Sequence, residues 1–290
     1  MRLIFKFNLV FIAAFVLSLG IAGYVAERLL QQNAREEMLH SARLIMEAAL
    51  STRGYTSTQI GPLLQTQIKY SFLPQSVPAY SATEVLKGLR KRFPEYAYKE
   101  ATLNPTNPSN RAVDWETDVV NQFRNSAEHT EIVGERDTPT GRLLYIARPI
   151  QIRDAACLGC HSTVDAAPKT LIDRYGPANG FGWKLNEVVG AQVVSVPTDV
   201  PVQRARAAFR NLMLSIGAIF VVLGLVLNAM LLWMVIVPVS RLAKLADRVS
   251  LGAMDVPDFH VRSRDEIRVL ADSFNRMKKS LVQAMKMLED

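Results

Sequence analysis

The chain has 290 residues, a formal net charge of +7, two cysteines and four histidines. Its basic residues are scattered and several flank apolar stretches. The charge therefore reads as solvated surface and membrane-edge anchoring, and nucleic acid is excluded as a partner.

In chain order, the first informative segment is Leu9–Ala26, "LVFIAAFVLSLGIAGYVA", which is uncharged and long enough to span a bilayer. Arg2 and Lys6 precede it, which predicts a cytoplasmic N-terminus by the positive-inside rule. A cleaved signal peptide would have a shorter apolar core and a small residue where Tyr24 stands, so an uncleaved anchor is expected. Residues 27–53 are rich in helix formers and lack Gly and Pro, which predicts a helix continuing out of the membrane. Leu30, Ala34, Met38, Ser41, Ile45 and Ala49 recur at three- and four-residue spacing as one apolar stripe. Gly54 and Pro62 are expected to break this helix.

"SATEVLKGLRKRF" predicts a second helix with Ser81 as N-cap. "NPTNPSNRAVDWE" is turn chemistry, and "DWETDVVNQFRN" predicts a short helix. "TEIVGERD" and "RLLYIARPIQI", joined by "TPTG", predict a β-hairpin. "GFGWKLNEVVGAQVVSVP" reads as β-rich, and "TDVPVQRARAAFRN" as a helix descending into a second span.

Between hairpin and β-rich stretch lies "AACLGCHST", which holds both cysteines and one histidine. Cys-x-x-Cys-His is the attachment pattern of c-type haem. Two thiols three residues apart can each bond one haem vinyl group, and the adjacent imidazole reaches the iron. Cys157 and Cys160 would carry one covalent haem c, with His161 as proximal iron ligand. Three other readings stay open. Zinc would need a second Cys/His pair. A redox dithiol would be expected at a helix start after a strand. The third is a plain disulfide or a pair of buried thiols.

The second span, Leu212–Val237, carries no charge and is expected to stop at Pro238. With the N-terminus inside, residues 27–211 lie outside the cytoplasm, where haem attachment takes place, and 238–290 lie inside. Beyond Pro238, Val239, Leu242, Ala246 and Val249 step by three and four. After Gly252 and Pro257, the positions Ile267, Leu270, Phe274, Met277, Leu281, Ala284 and Leu288 form a heptad seam. Two short heptad helices directly below a span predict a parallel four-helix bundle made by two chains.

This tail resembles a HAMP domain, on the proline after the span, the connector containing Gly252, and "RDEIRVLADSFNRM". HAMP sequences usually carry Gly two residues after the Asp-Glu pair, where this chain has Arg268. The resemblance implies a dimeric relay between a membrane span and a cytoplasmic output. The outer segment resembles the family of c-type-haem, PAS-like sensors that often precede HAMP domains. The matching pieces are "SFLPQSVPAYSA", "YKEATLNPTNPSNRAVDWE", "RPIQIRDAACLGCH" and "GFGWKLNEVVGAQVVSVP". It implies haem held through Cys157, Cys160 and His161. In some members a cysteine from the helix after the first span is the sixth iron ligand, but this chain has no third cysteine. Met46 on that helix, His40, His129 or an open site are the alternatives, and Arg53, Tyr55 and Trp183 are candidate pocket residues.

The expected fold is α+β: a PAS-like antiparallel sheet with flanking helices between two transmembrane helices, followed by a cytoplasmic HAMP coiled coil. The expected divisions are 1–8, cytoplasmic; 9–26, first span; 27–211, haem sensor domain; 212–237, second span; and 238–290, HAMP. The expected function is a two-pass haem sensor in a bacterial inner membrane, with its sensor domain in the periplasm. It would read redox state, a redox partner or a diatomic gas, and would not be an enzyme. The alternative is a membrane-anchored cytochrome that transfers electrons, for which a heptad relay has no use. Homodimerisation is expected through HAMP and the stalk helices. After Leu288 too few residues remain for an output domain, so a cytoplasmic signalling partner in trans is expected.

Overall fold

The computed structural model describes residues 3–126, 128–139, 141–261 and 264–289. Arg2, Thr140 of the hairpin turn and the Leu288 side chain lie outside that description. The chain divides into two compact units, residues 27–208 and the combination of 1–26 with 209–290.

In the first unit a four-stranded antiparallel sheet is the scaffold, with strand order β1-β4-β3-β2. Its strands are β1 (Ala97–Thr102), β2 (Ile132–Thr138), β3 (Gly141–Gln151) and β4 (Val188–Pro197). The two inner strands pair Leu144 with Val196 and Ile146 with Val194. Those four side chains pack with Met38, Ala42 and Met46 of helix α1 (Leu3–Tyr55). The alternate residues Ala147, Ala191 and Val193 face the other way, onto Val119, Val120 and Phe123 of helix α4 (Asp114–Asn125). β4 is thus covered on both faces, which is why "VVGAQVVSV" is nearly all small or β-branched. Helix α3 (Pro78–Arg90) closes the β1 side by packing Ala82 and Leu86 on Ala49.

The stripe on α1 is shifted from the expected one. Ala34, Met38, Ala42, Met46 and Ala49 are buried, so Ala42 and Met46 replace Ser41 and Ile45. Neither Gly54 nor Pro62 ends the helical run. A π-helical turn at Thr56–Ile60 leads into α2 (Gly61–Ile68). Pro62 sits in the first turn of α2, where its missing N–H is tolerated. The same device carries the chain through Pro238. Helix α7 (Asp199–Met230) passes through a π-helical stretch at Leu231–Ile236 into α8 (Val237–Ser250), whose first turn holds the proline. Ser81 lies inside α3, capped by Val77, and its hydroxyl donates to Gln75 O at 3.1 Å. Only the second half of the β-rich stretch is strand, because Gly180, Gly182 and Asn186 all adopt positive φ.

In the second unit, two helical runs are long and apolar enough to cross a membrane. Val10, Leu17 and Ile21 on one, and Val221, Val222 and Leu225 on the other, are exposed. Between them, Phe15 lies 4.2 Å from Phe220, ring to ring. Asn8 and Asn228 exchange reciprocal side-chain hydrogen bonds at 2.8 Å. Amides inside an apolar helix pair fix its register, because a slip leaves both without a partner. A double-mutant cycle with Asn8→Leu and Asn228→Leu in detergent micelles is expected to give a coupling of about 0.6–1.7 kcal/mol. Strict additivity would remove the pair from the register argument.

After the second apolar run, Leu242 and Val249 of α8, Val256 of the connector and Phe274 of helix α9 (Glu266–Glu289) pack together. Gly252, at φ 90°, turns the chain between them. Lys278 Nζ donates to Val256 O at 2.7 Å and Asp258 Oδ1 at 2.6 Å, holding the connector on α9. The seam residues Leu270, Met277 and Leu281 remain exposed on one chain.

Candidate functional site

The β3 strand ends at Gln151, and the chain is caught at once by β4's approach. Ile152 N–H donates to Glu187 O at 2.9 Å, and Asn186 N–H to Ile152 O at 2.8 Å. Asp154 then caps a short helical turn by accepting from Ala156 N–H at 2.8 Å. That turn carries Cys157 and runs directly into helix α5 (Leu158–His161), which carries Cys160 and His161. A three-residue spacing on a helix sets the two thiols on one side. Cys157 is exposed, Cys160 is half-buried, and both are unpaired.

The thiols titrate above the ordinary cysteine value. For Cys157 the first cause is desolvation and the second is Asp154, with Arg53 pulling the other way. For Cys160 the causes are burial and then Cys157. His161 titrates below its usual value because burial disfavours its charge, against the opposing hydrogen bond to Gly180. Its imidazole is therefore neutral at pH 7. Nδ1 lies 2.7 Å from Gly180 O, and the ring stacks on Trp183 at 4.0 Å and 15°. Trp183 N–H donates to His161 O at 3.1 Å, and Gly182 N–H to Ser162 O at 2.9 Å. A histidine whose Nδ1–H donates to a carbonyl offers Nε2 as a metal ligand, which is the usual arrangement at haem and metal centres. Unpaired thiols on one helical side and a neutral imidazole oriented through Nδ1 fit covalent haem. Among the described residues, no group of three His, Cys, Asp or Glu side chains is placed to hold a metal ion.

The candidate pocket residues separate into two groups. Trp183 lies on the histidine, and the charge of Arg53 is felt at Cys157. Arg53 pairs with the buried carboxylate of Glu100, which also accepts from Tyr98 Oη at 2.7 Å. Arg53 also lines a cleft of about 480 Å³ with Leu50, Arg148, Arg153 and Gln192. Tyr55 is exposed, as are His40 and His129. Met46 is fully buried against Leu144, Ile146, Val194 and Val196. Arg53 is two helical turns further along the same face, about 10 Å by helix rise. Neither Glu100 nor Gly180 stood out in the sequence. A lone Glu in a strand and a Gly in a loop carry no spacing signal.

The placement of Met46 gives a separable test. Met46→Ala is expected to cost about 2–5 kcal/mol, as for a fully buried side chain. Met46→Leu should cost less than about 1.5 kcal/mol and leave the haem spectrum unchanged. A Met46→Leu protein that is stable but has a changed axial-ligand band would instead make the sulfur a ligand.

A family model described as Tll0287-like matches residues 31–197, and a HAMP domain model matches residues 230–283. A search of curated proteins finds no match. Among solved structures, the crystal structure of the cyanobacterial heme protein Tll0287 is similar to this chain at 17% identity and a TM-score of 0.37. The similarity covers 57% of this chain and 91% of that one.

Proposed function

The chain belongs to the Tll0287-like family and carries a HAMP domain, and on that premise we propose that it is a membrane-bound c-type haem sensor for signal transduction. Cys157 and Cys160 would hold one haem through thioethers, and His161 would supply Nε2 to its iron. The observation that carries this reading is the His161 arrangement: Nδ1 on Gly180 O and the ring on Trp183, beside two unpaired thiols. Bound there, haem supplies an iron that changes charge on reduction or binds a diatomic gas. Arg53, whose charge is felt at Cys157, would supply positive charge to the bound group, and Trp183 shields one face of the imidazole from water.

A shift at His161 has a covalent and hydrogen-bonded route outward. The Ile152–Glu187 and Asn186–Ile152 bonds tie the motif's strand end to β4. At the other end of β4, Thr198 donates through N–H and Oγ1 to Arg142 O, and its carbonyl accepts from Val202 N–H in α7. α7 continues into the second apolar run. In this reading residues 27–211 form a PAS-like sensor in the periplasm, supported by the antiparallel sheet between α1 and α4. Residues 9–26 and 212–237 cross the inner membrane of a bacterium, and 238–290 act as a cytoplasmic HAMP relay. A second copy covers Leu270, Met277 and Leu281, and the paired bundle passes its state to a separate signalling partner. The signal can shift that state only by its differential affinity for the two packings.

The test is the full chain produced with a haem-attachment system, with optical spectra oxidised and reduced, with and without nitric oxide or carbon monoxide. Denaturation-resistant haem is expected. A gas-insensitive six-coordinate ferrous spectrum would point to redox sensing or to simple electron transfer, and ready gas binding would favour gas sensing. No covalent haem would overturn the reading.

A further inference from the structure

We infer that Asn104, in the loop after β1, is a positioning residue for His161, acting through the Gly180–Phe181 turn to set the donor strength of the iron ligand. The inference rests on the haem reading above and adds a residue and a regulated property to that site.

One side chain grips the turn on both sides of the Gly180–Phe181 peptide. Asn104 Oδ1 accepts from Gly180 N–H at 3.3 Å, and Asn104 Nδ2 donates to Phe181 O at 3.3 Å. Those two groups flank the peptide whose carbonyl, Gly180 O, meets His161 Nδ1. Gly180 has φ +88°, and a Cβ there would lie 2.9 Å from Thr106 Cα. Only glycine fits both the backbone conformation and this approach, so the loop after β1 and the turn are closely interlocked. Asn104 is itself tied to the sheet, since its neighbour Leu103 donates N–H to Val189 O at 3.2 Å and Ala112 N–H donates to Thr102 O at 3.0 Å. Arg111 Nη2 also donates to Asn179 Oδ1 at 3.2 Å. The histidine therefore leans on a carbonyl whose turn is held from the sheet side by Asn104 as well as by the motif's own backbone bonds at His161 O and Ser162 O.

The consequence is electronic. An Nδ1–H that donates to a well-aligned carbonyl makes Nε2 more basic, and a more basic ligand favours the ferric over the ferrous iron. Loosening the turn weakens that bond and raises the reduction potential. The hydrogen bonds of the Asn104 side chain go to Gly180 and Phe181, so a purely structural role would change stability and leave the potential where it was.

The experiment compares the full-length wild type with Asn104→Ala and Asn104→Asp, all with covalent haem content measured on denaturing gels. The expected result is unchanged haem content, a positive shift of potential in Asn104→Ala, and a smaller shift in Asn104→Asp, which keeps the acceptor for Gly180 N–H. Wild-type potential and axial-ligand bands in a fully loaded Asn104→Ala protein would overturn the inference. If Asn104→Ala does not fold, Asn104→Asp decides by the same reading. If the wild type carries no covalent haem, the haem reading fails on that result alone. The positioning role is then decided by ¹⁵N NMR of the His161 imidazole, which should be an Nδ1–H tautomer in wild type and a mixture in Asn104→Ala. An unchanged tautomer would sink it.

Discussion

Replacing Cys157 and Cys160 together with alanine is expected to remove all haem that survives denaturation, whereas His161→Ala should keep attached haem and lose its proximal-ligand spectrum. The two outcomes follow from different bonds. The thiols lie on one side of a helical turn, one exposed and one half-buried, and neither is paired. Each single cysteine variant leaves one thioether, so partial attachment is expected there. His161 contributes no bond to the porphyrin. It is held by Gly180 O and Trp183 through the protein's own contacts, so its removal should act on the iron and leave the attachment in place. Haem staining on denaturing gels and ferrous spectra separate these effects. Loss of attachment in His161→Ala with wild-type expression would show that the histidine is needed to build the site as well as to complete it.

Arg53→Ala should lower stability by about 3–5 kcal/mol, the cost of leaving a buried carboxylate without its counter-ion. Glu100 is 3% exposed, while Arg53 keeps 25% of its side chain in contact with solvent. The two ends of the pair are therefore unequal. Glu100→Gln retains an acceptor for Tyr98 and leaves a guanidinium that can reach water, so a smaller cost of about 1–3 kcal/mol is expected. The double replacement Arg53→Met/Glu100→Leu should recover most of the loss, because it removes both buried charges. Tyr98, whose phenol is pushed far above its ordinary value by burial and then by Glu100, remains neutral in every variant. Thermal denaturation of the detergent-solubilised chain, with its haem content recorded in parallel, measures all three. Equal losses for Arg53→Ala and Glu100→Gln would mean that the carboxylate is hydrated and the pair ordinary.

Some of the misplacements in the sequence reading share one cause. Strand β1 escaped notice because Lys99 and Glu100 interrupt its alternation. Lys99 pairs with Glu116 at 2.6 Å on one face, and Glu100 pairs with Arg53 on the other. Both partners are distant in the chain, so no local pattern marks them. Gly54, Pro62 and Pro238 looked like stops because propensity is local. Next to Pro62 and Pro238, π-helical turns absorb the missing hydrogen bond, and the helix continues.

The sequence by itself determined whatever is written in spacing: Cys157 three residues before Cys160 with His161 adjoining it, two uncharged apolar runs, and the three-four stepping of the last helices. Covalent proximity and helix periodicity fix those relations before the chain folds. Only the tertiary structure decided which carbonyl holds His161, that Met46 belongs to the core between α1 and the sheet, and that Arg53 pairs with the buried Glu100. Each of these depends on sheet pairing that brings together groups far apart in the chain, and burial then decides which of them must be paired.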